Sequence, residues 1–322
     1  MDLARSRRIA FLGGLLLLVL GAGPDARANE PLTLEELNAR FGMDFDTTEI
    51  RTQKIDDGFY VLFGLGGNIA VSIGRSGTLI VDDQFPQLAQ KIEKAIQAVG
   101  GKRVDYVVNT HGHFDHADGN KFFGPEGSRI VSHRNARDLM ERGGIVNLVI
   151  AEYRQAPYPS DALPTFTFDD RMQIHFNDET IELVHPGPAH TSGDAAVLFR
   201  GRNAVHMGDV FNNTGYPFID VDNGGGIDGM IAFCRAVLGE IGPDTTVIPG
   251  HGEVTDVARL ERYVGMLEGV RSRVAGMIAE GKRLDEVIAA DPTADFAADF
   301  GDVGQSLGFV DRVYTSLQRQ AE

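Results

Sequence analysis

Cysteine is almost missing from this 322-residue chain: Cys234 is the only one. No internal disulfide can form, so the fold is held by its core, and Cys234, in the apolar stretch "MIAFCRAVL", reads as a small buried hydrophobe. Basic residues are also scarce, with 30 Lys and Arg against 46 Asp and Glu and a formal net charge of -16. That balance excludes nucleic acid and anionic membrane surfaces as natural partners, since both recruit basic proteins. Low-complexity tracts and Pro- or Ser-rich linkers are lacking, so composition marks no domain boundary. A membrane-spanning run is lacking too. The apolar stretch Ile9 to Leu20 falls short of the ~20 residues a bilayer requires, and Gly13, Gly14, Gly21 and Pro24 interrupt or end it.

That short run has another reading. Arg5, Arg7 and Arg8 precede it, and Ala26-Arg27-Ala28 follows with small residues at the spacing of a signal-peptidase site. Residues 1-28 are therefore expected to be a removed signal peptide, and the mature chain to start at Asn29 in an exported, periplasmic protein with no membrane attachment. Arg7-Arg8 after Ser6 also resembles a twin-arginine export signal, with the expected aromatic displaced one place to Phe11. Cleavage would remove four Arg and two Asp, leaving 26 basic against 44 acidic residues, a charge of -18. Residues 29-322 are long enough for one large domain with its own core.

Short strands divided by Gly-rich turns are expected from Ile50 to Asp82: "IRTQKI", "FYVLFG", "NIAVSIG" and "TLIVDD". Leu88, Ile92 and Ile96 then recur at the spacing of one helix face. The strand "RVDYVVNT" and the pair "SRIVSH" and "NARDLMER" follow. After a Pro-rich stretch at 157-164 come "MQIHF", "TIELVH", "AAVLFR" and "NAVHMGD" as strands, a helix from Gly226 to Leu238, the strand "TTVIPGH" and a long helix from Asp256 to Glu280. Strands then helix, given twice, predict two β-rich halves packed face to face with helices outside. Met230, Phe233 and Val237 fall at helical spacing and read as core. The segment from Asp291 to Gly308, acidic and rich in Gly and Ala, reads as a loop. The amphipathic stretches around it suit either a cover for the sandwich or a dimer surface, and the sequence leaves the oligomeric state open.

Chemistry concentrates in "NTHGHFDHADG", residues 109-119, which spends three of the nine histidines within six positions. An extended backbone through Gly112 points His111 and His113 to one side, and a turn at Asp115 brings His116 round. Imidazole suits zinc and carboxylate adds charge and a hard oxygen, so one compact loop can serve two neighbouring ions. So many unpaired donors would be costly to bury otherwise. Further ligands are expected where apolar strands meet glycine: His190 in "GPAHTSGD", Asp209 in "HMGDVF" and His251 in "IPGHGE". His133, His175, His185 and His206 lie outside this pattern; His206, three residues before Asp209, reads as core or as a support behind it.

These five segments, in this order, resemble the motif set of the metallo-β-lactamase superfamily, and the likeness runs through nearly all of residues 29-251. The resemblance implies an α/β fold, a four-layer αββα sandwich with two Zn2+ ions at one edge of the sheets. It implies one zinc on His111, His113 and His190, the other on Asp115, His116 and His251, and Asp209 bridging both. Asp82, ending "LIVDD", matches the family's aspartate that orients a histidine from behind. "GLGGN", residues 64-68, matches a hairpin overhanging the cleft, with Leu65 as its apolar finger.

The implied reaction is hydrolysis of an activated acyl bond of a small-molecule substrate by a hydroxide shared between the metals, with Asp115 holding that hydroxide in place as the catalytic carboxylate. Export favours a β-lactam. Two departures favour a thioester or lactone instead: Asp209 stands where efficient β-lactamases carry a metal-binding cysteine, and Asn212 where many place a lysine for the drug's carboxylate. Asn212 and Tyr216, in "NNTGYPFID", are the candidate substrate contacts, with Phe218 beside them. A third class, an iron-dependent redox or binding protein on the same fold, stays open, because a fold fixes chemistry less than a site does.

Overall fold

A computed structural model describes residues 30-320; the expected signal peptide, residues 1-28, lies outside them. The described chain opens with α1 (Leu34–Phe41), started by a capping box between Thr33 and Glu36. Four strands follow: β1 (Arg51–Asp56), β2 (Phe59–Phe63), β3 (Ile69–Gly74) and β4 (Gly77–Val81). Next come α2 (Ala89–Ala98), β5 (Val104–Val108), the single turns α3 (Phe114–Ala117) and α4 (Asn120–Phe123), β6 (Arg129–His133) and α5 (Arg134–Arg142). A small hairpin of β7 (Gly144–Asn147) and β8 (Glu152–Gln155) leads to β9 (Phe166–Phe168). The second half holds β10 (Arg171–Phe176), β11 (Glu179–Val184), β12 (Ala196–Phe199), β13 (Ala204–His206), α6 (Ile227–Leu238), β14 (Thr246–Ile248) and β15 (Thr255–Asp256). Four helices close it: α7 (Val257–Ala279), α8 (Leu284–Ala289), α9 (Ala297–Phe300) and α10 (Val303–Gln320).

The strands form two large sheets, ordered β1-β2-β3-β4-β5-β6-β9 and β10-β11-β12-β13-β14-β15. Their facing surfaces share a core of β-branched and aromatic side chains, where Phe59 meets Phe199 at 4.6 Å between ring centroids. The outer face of the first sheet, Ile80 and Val107, packs on Leu88, Ile92 and Ile96, the stripe expected of α2. The outer face of the second, Leu198, Val205 and Val247, is covered by Phe233 of α6, Leu260 and Val264 of α7, and Val313 of α10. Four layers, αββα, result. The C-terminal helices cover the sandwich, and Met230, Phe233, Val237 and Cys234 are core.

Strand direction decides where the site lies. β4 pairs parallel to β5, and β13 pairs parallel to β14, so each pair ends at the same edge. β11 runs alongside in the same sense, two antiparallel steps from β13. Asp82, His111, His190, Asp209 and His251 all follow the ends of these strands.

Two features depart from the expected pattern. The segment 291-308 is no loop: Asp295 to Phe300 is helical, and Val303 already starts α10. Its acidic face is solvated while Phe300 is buried against Tyr263 and Tyr216, so a few apolar anchors order a polar-looking stretch. The hairpin β7–β8 was also unanticipated; Val146 and Tyr153 turn from it into the first sheet's outer core.

Candidate metal centre

The seven expected ligands converge. His111, His113 and His190 form one set, His111, His116 and Asp209 a second, and Asp115, His116 and His251 a third, with donor atoms in each set within 4.8 Å of one another. The sets overlap through His111 and His116, as two neighbouring positions sharing a wall require. His190 Nε2 lies 2.9 Å from His113 Nδ1, and His116 Nε2 lies 3.1 Å from His251 Nε2. Asp209 Oδ1 approaches His116 Nε2 at 3.1 Å and His251 Nε2 at 3.4 Å, and Asp115 Oδ2 approaches His251 Nε2 at 3.2 Å.

The outward nitrogens explain which lone pairs face inward. His116 Nδ1 donates to Asp82 Oδ2 at 2.7 Å, leaving Nε2 bare. Asp82 also accepts Thr110 N–H at 2.7 Å and the Thr110 hydroxyl at 2.8 Å. With its proton so committed, Thr110 Oγ1 accepts from His111 Nδ1 at 3.0 Å, and His111 Nε2 also faces in bare. His113 reverses the pattern, giving Nε2–H to Asp220 Oδ2 at 2.8 Å. His190 gives Nδ1–H to the Phe218 carbonyl at 2.9 Å. Imidazole lone pairs therefore point at one another, an arrangement that is repulsive until a cation sits between them. Buried His111 Nε2 and Asp209 Oδ1 have no hydrogen-bond partner. Tetrahedral nitrogen ligands of zinc lie about 3.3 Å apart, which these separations match. The residues fit a pair of divalent cations.

Electrostatics agree. Burial, reinforced by the neighbouring imidazoles of His116, His190 and His113, drives His111 well toward its neutral form. Burial opposes charge on Asp209 too, but His251 and His116 outweigh it and hold its carboxyl well below the usual range. Burial opposes charge on His116 and His251 as well, but Asp209 and Asp115 outweigh it and pull both imidazoles toward their protonated forms. In the absence of a cation these carboxylates hold protons where a metal would sit.

The glycine hairpin 64-68 closes over this centre at van der Waals contact. A Cβ on Gly67 would stand 2.1 Å from the His116 ring and one on Gly66 2.2 Å from the Asp115 carbonyl. Asn68 ties the hairpin across the cleft, donating Nδ2 to the carbonyls of Pro249 and Gly252 at 2.9 and 2.8 Å. His206 is no ligand; it donates to the Asn68 carbonyl at 2.9 Å and accepts Gly208 N–H at 3.1 Å, pinning that hairpin to the Asp209 turn. His133, His175 and His185 also lie outside the ligand sets.

Above the donors opens a cleft of about 800 Å³, lined by Leu65, Asp115, Asn212, Phe218 and His251 among others. Asn212 reaches it as expected. Tyr216 does not line this cleft: its hydroxyl bonds to the Gly301 carbonyl at 3.2 Å and its ring stacks on Phe309, so the C-terminal helices hold it one step away. Asp220 and Thr110 were missed by the sequence reading; the only hint for Thr110 was its place directly before His111.

Similarity to known proteins agrees with this geometry. The family model of the metallo-beta-lactamase superfamily matches residues 65–265, more than half of the chain. The chain belongs to the metallo-beta-lactamase superfamily. Among curated relatives it is similar to the 2,4-dinitroanisole O-demethylase subunit alpha of Nocardioides sp., 26% identical over 45% of this chain and 42% of that one. It is also similar to a probable metallo-hydrolase of Methanocaldococcus jannaschii, 24% identical over 59% and 84%, and to a type 2 metallo-beta-lactamase of Elizabethkingia meningoseptica, 24% over 52% and 64%. The match thus spans less than half of the demethylase subunit and under two thirds of the type 2 enzyme. In structure it resembles the DIM-1 metallo-beta-lactamase, TM-score 0.55 at 19% identity, over 68% of this chain and 97% of that one. The Pontibacter korlensis metallo-beta-lactamase gives TM-score 0.56 at 15% identity, over 68% and 99%.

Proposed function

We propose that this chain is an exported, periplasmic dinuclear zinc hydrolase of activated acyl bonds in a small-molecule substrate, with β-lactam ring opening as the first reading. The observation that carries it is the convergence of five imidazoles and two carboxylates in overlapping donor sets on one cleft. Two bound zinc ions would supply an acidified water and a Lewis acid for the carbonyl.

The chain's own residues do the rest. Asp82, Thr110, Asp220 and the Phe218 carbonyl fix the imidazole tautomers, so no reorganisation is required when a cation enters. Asp115 stands at the cleft edge beside His251 and is the carboxylate placed to orient an attacking water and take up its proton. Asn212 spends Oδ1 on Thr214 N–H and hydroxyl, which leaves its amide N–H groups to meet a substrate oxygen.

A second reading, thioester or lactone hydrolysis, rests on the charges around the cleft. The cation lining it is Arg51, already paired with Glu253 at 2.6 Å and laid over the Phe63 ring at 3.7 Å. A drug carboxylate would meet neutral Asn212 instead, and losing a charge-assisted hydrogen bond costs roughly 1.5–3 kcal/mol. Nitrocefin, an acyl-homoserine lactone and S-lactoylglutathione assayed side by side decide between them by the largest kcat/KM. No turnover by protein holding two zinc ions overturns the hydrolase reading, and iron in place of zinc by elemental analysis favours a redox role.

A further inference from the structure

We infer that the substrate carries a long apolar arm on its acyl head, seated in a groove that α1 and α10 add beside the metal cleft. The inference rests on the hydrolase reading and narrows its substrate. A second cavity, of about 500 Å³, adjoins the cleft and shares Leu65, Phe114, Asp115, Leu148, Asn212 and Phe218 with it. Beyond this shared mouth the lining turns apolar, with Phe41, Met43, Ile150, Pro217 and Phe309. Tyr216 gives its hydroxyl to the Gly301 and Thr293 carbonyls, so it adds ring surface and little polarity. The only charged side chain in the lining is Asp115, at the mouth.

Phe41, Met43 and Ile150 are only partly covered, which leaves apolar surface facing water unless a ligand fills it, while Pro217 and Phe309 are buried. The groove opens on Asp115 and hence on the reacting position, so an arm tethered to a head group at the metals fits it; a protein partner would block the cleft. Phe41, Met43, Gln305 and Phe309 lie outside residues 65–265, the stretch that the superfamily's model matches.

The test uses the zinc-loaded mature chain and two matched series, N-acyl-homoserine lactones and N-acyl-6-aminopenicillanates, with tails from butanoyl to dodecanoyl. In whichever head class is hydrolysed, kcat/KM is expected to rise roughly fourfold per methylene until the groove is full, in line with about 0.8 kcal/mol per buried methylene. Gly308 lines the groove from α10, and a Cβ there would come no closer than 3.9 Å to Val149. Gly308→Trp should therefore fill the groove, flattening the length dependence while butanoyl turnover stays within twofold. Met43→Asp, in the lining just after α1, should act likewise through charge and guards against misfolding of the first variant. Calorimetry with dodecanamide, which has no activated bond, supplies a readout apart from catalysis: wild type binds and both variants lose at least tenfold. A flat length profile, or dodecanamide binding unchanged in both variants, overturns the inference. Tight, groove-dependent dodecanamide binding without turnover of either series leaves the groove standing and removes the hydrolase reading.

Discussion

His113 gives its Nε2–H to Asp220 Oδ2 at 2.8 Å, so of the five converging imidazoles it presents Nδ1 to the centre, while His111, His116, His190 and His251 present Nε2. Asp220 is buried and also accepts Asn223 N–H and Nδ2–H at 3.1 and 2.7 Å, which makes it a rigid acceptor. Ring orientation at one metal position thus depends on a carboxylate 107 residues away.

Asp220→Ala is expected to weaken zinc binding at the His111, His113 and His190 position about 10–100-fold, the usual effect of removing a support behind a ligand. Asp220→Asn should lose less, since the amide oxygen can still accept from His113. A chelator-competition titration that resolves two binding steps checks this, and an Asp220→Ala protein with both steps unchanged would refute the role.

Asp82 combines two demands. Its φ of 63° is left-handed, a conformation that Asp and Asn tolerate and Ala resists, and its carboxylate fixes Thr110 and His116. Asp82→Ala should lower Tm by several degrees, at about 2–4 °C per kcal/mol for a domain of this size. Asp82→Asn should keep more of the stability, yet still lose zinc at the His116 position, because an amide cannot accept from all three donors. Thermal melts of the metal-free proteins beside zinc titrations separate the two effects.

The converging donors were legible because His111, His113, Asp115 and His116 crowd into one short run and His190, Asp209 and His251 each sit where an apolar segment gives way to glycine. The layers were legible from alternation and from the stripe of Leu88, Ile92 and Ile96. Asp220 was not, since nothing near it in the chain distinguishes it from a turn aspartate; its partner arrives only through tertiary packing. Where Tyr216 lies was not legible either, because its position beside the cleft is set by Phe309 and Gly301, contacts far along the chain. The helical turns at 294–300 and the first turns of α10 were hidden by an acidic surface over few anchors, whereas the amphipathic stretch after Gly308 was visible.

Gly67 makes the hairpin's closeness possible, because any side chain there would enter the His116 ring. His116 is fully buried and tied to Asp82, so the hairpin must move instead, breaking the 2.7 Å bond from Gln84 Nε2 to the Gly67 carbonyl. Gly67→Ala is expected to keep the fold and most of the His111, His113 and His190 zinc, while kcat/KM falls at least tenfold as the cleft's roof lifts. A variant with unchanged turnover would show that the roof is not needed.

His133 makes a prediction about pH that does not involve the metals. Its ring is buried and stacked 3.8 Å from His185, and burial first, then that neighbour, push its pKa down to about 4 against the pull of Asp169. A free histidine titrates near 6.5. Between those values the unfolded chain binds a proton that the folded chain refuses, so stability is lost as pH falls from about 6.5 to about 4 and levels off below. With solvent screening at the ring's edge the loss is about 1–2 kcal/mol. The ring also caps α5, accepting Asn135 N–H at 3.2 Å, and Asn is a good substitute for that task. His133→Asn should therefore match wild type near pH 8 and exceed it near pH 4.5 in denaturant melts of metal-free protein. If the two proteins lose stability in parallel on acidification, the proton is being taken up elsewhere.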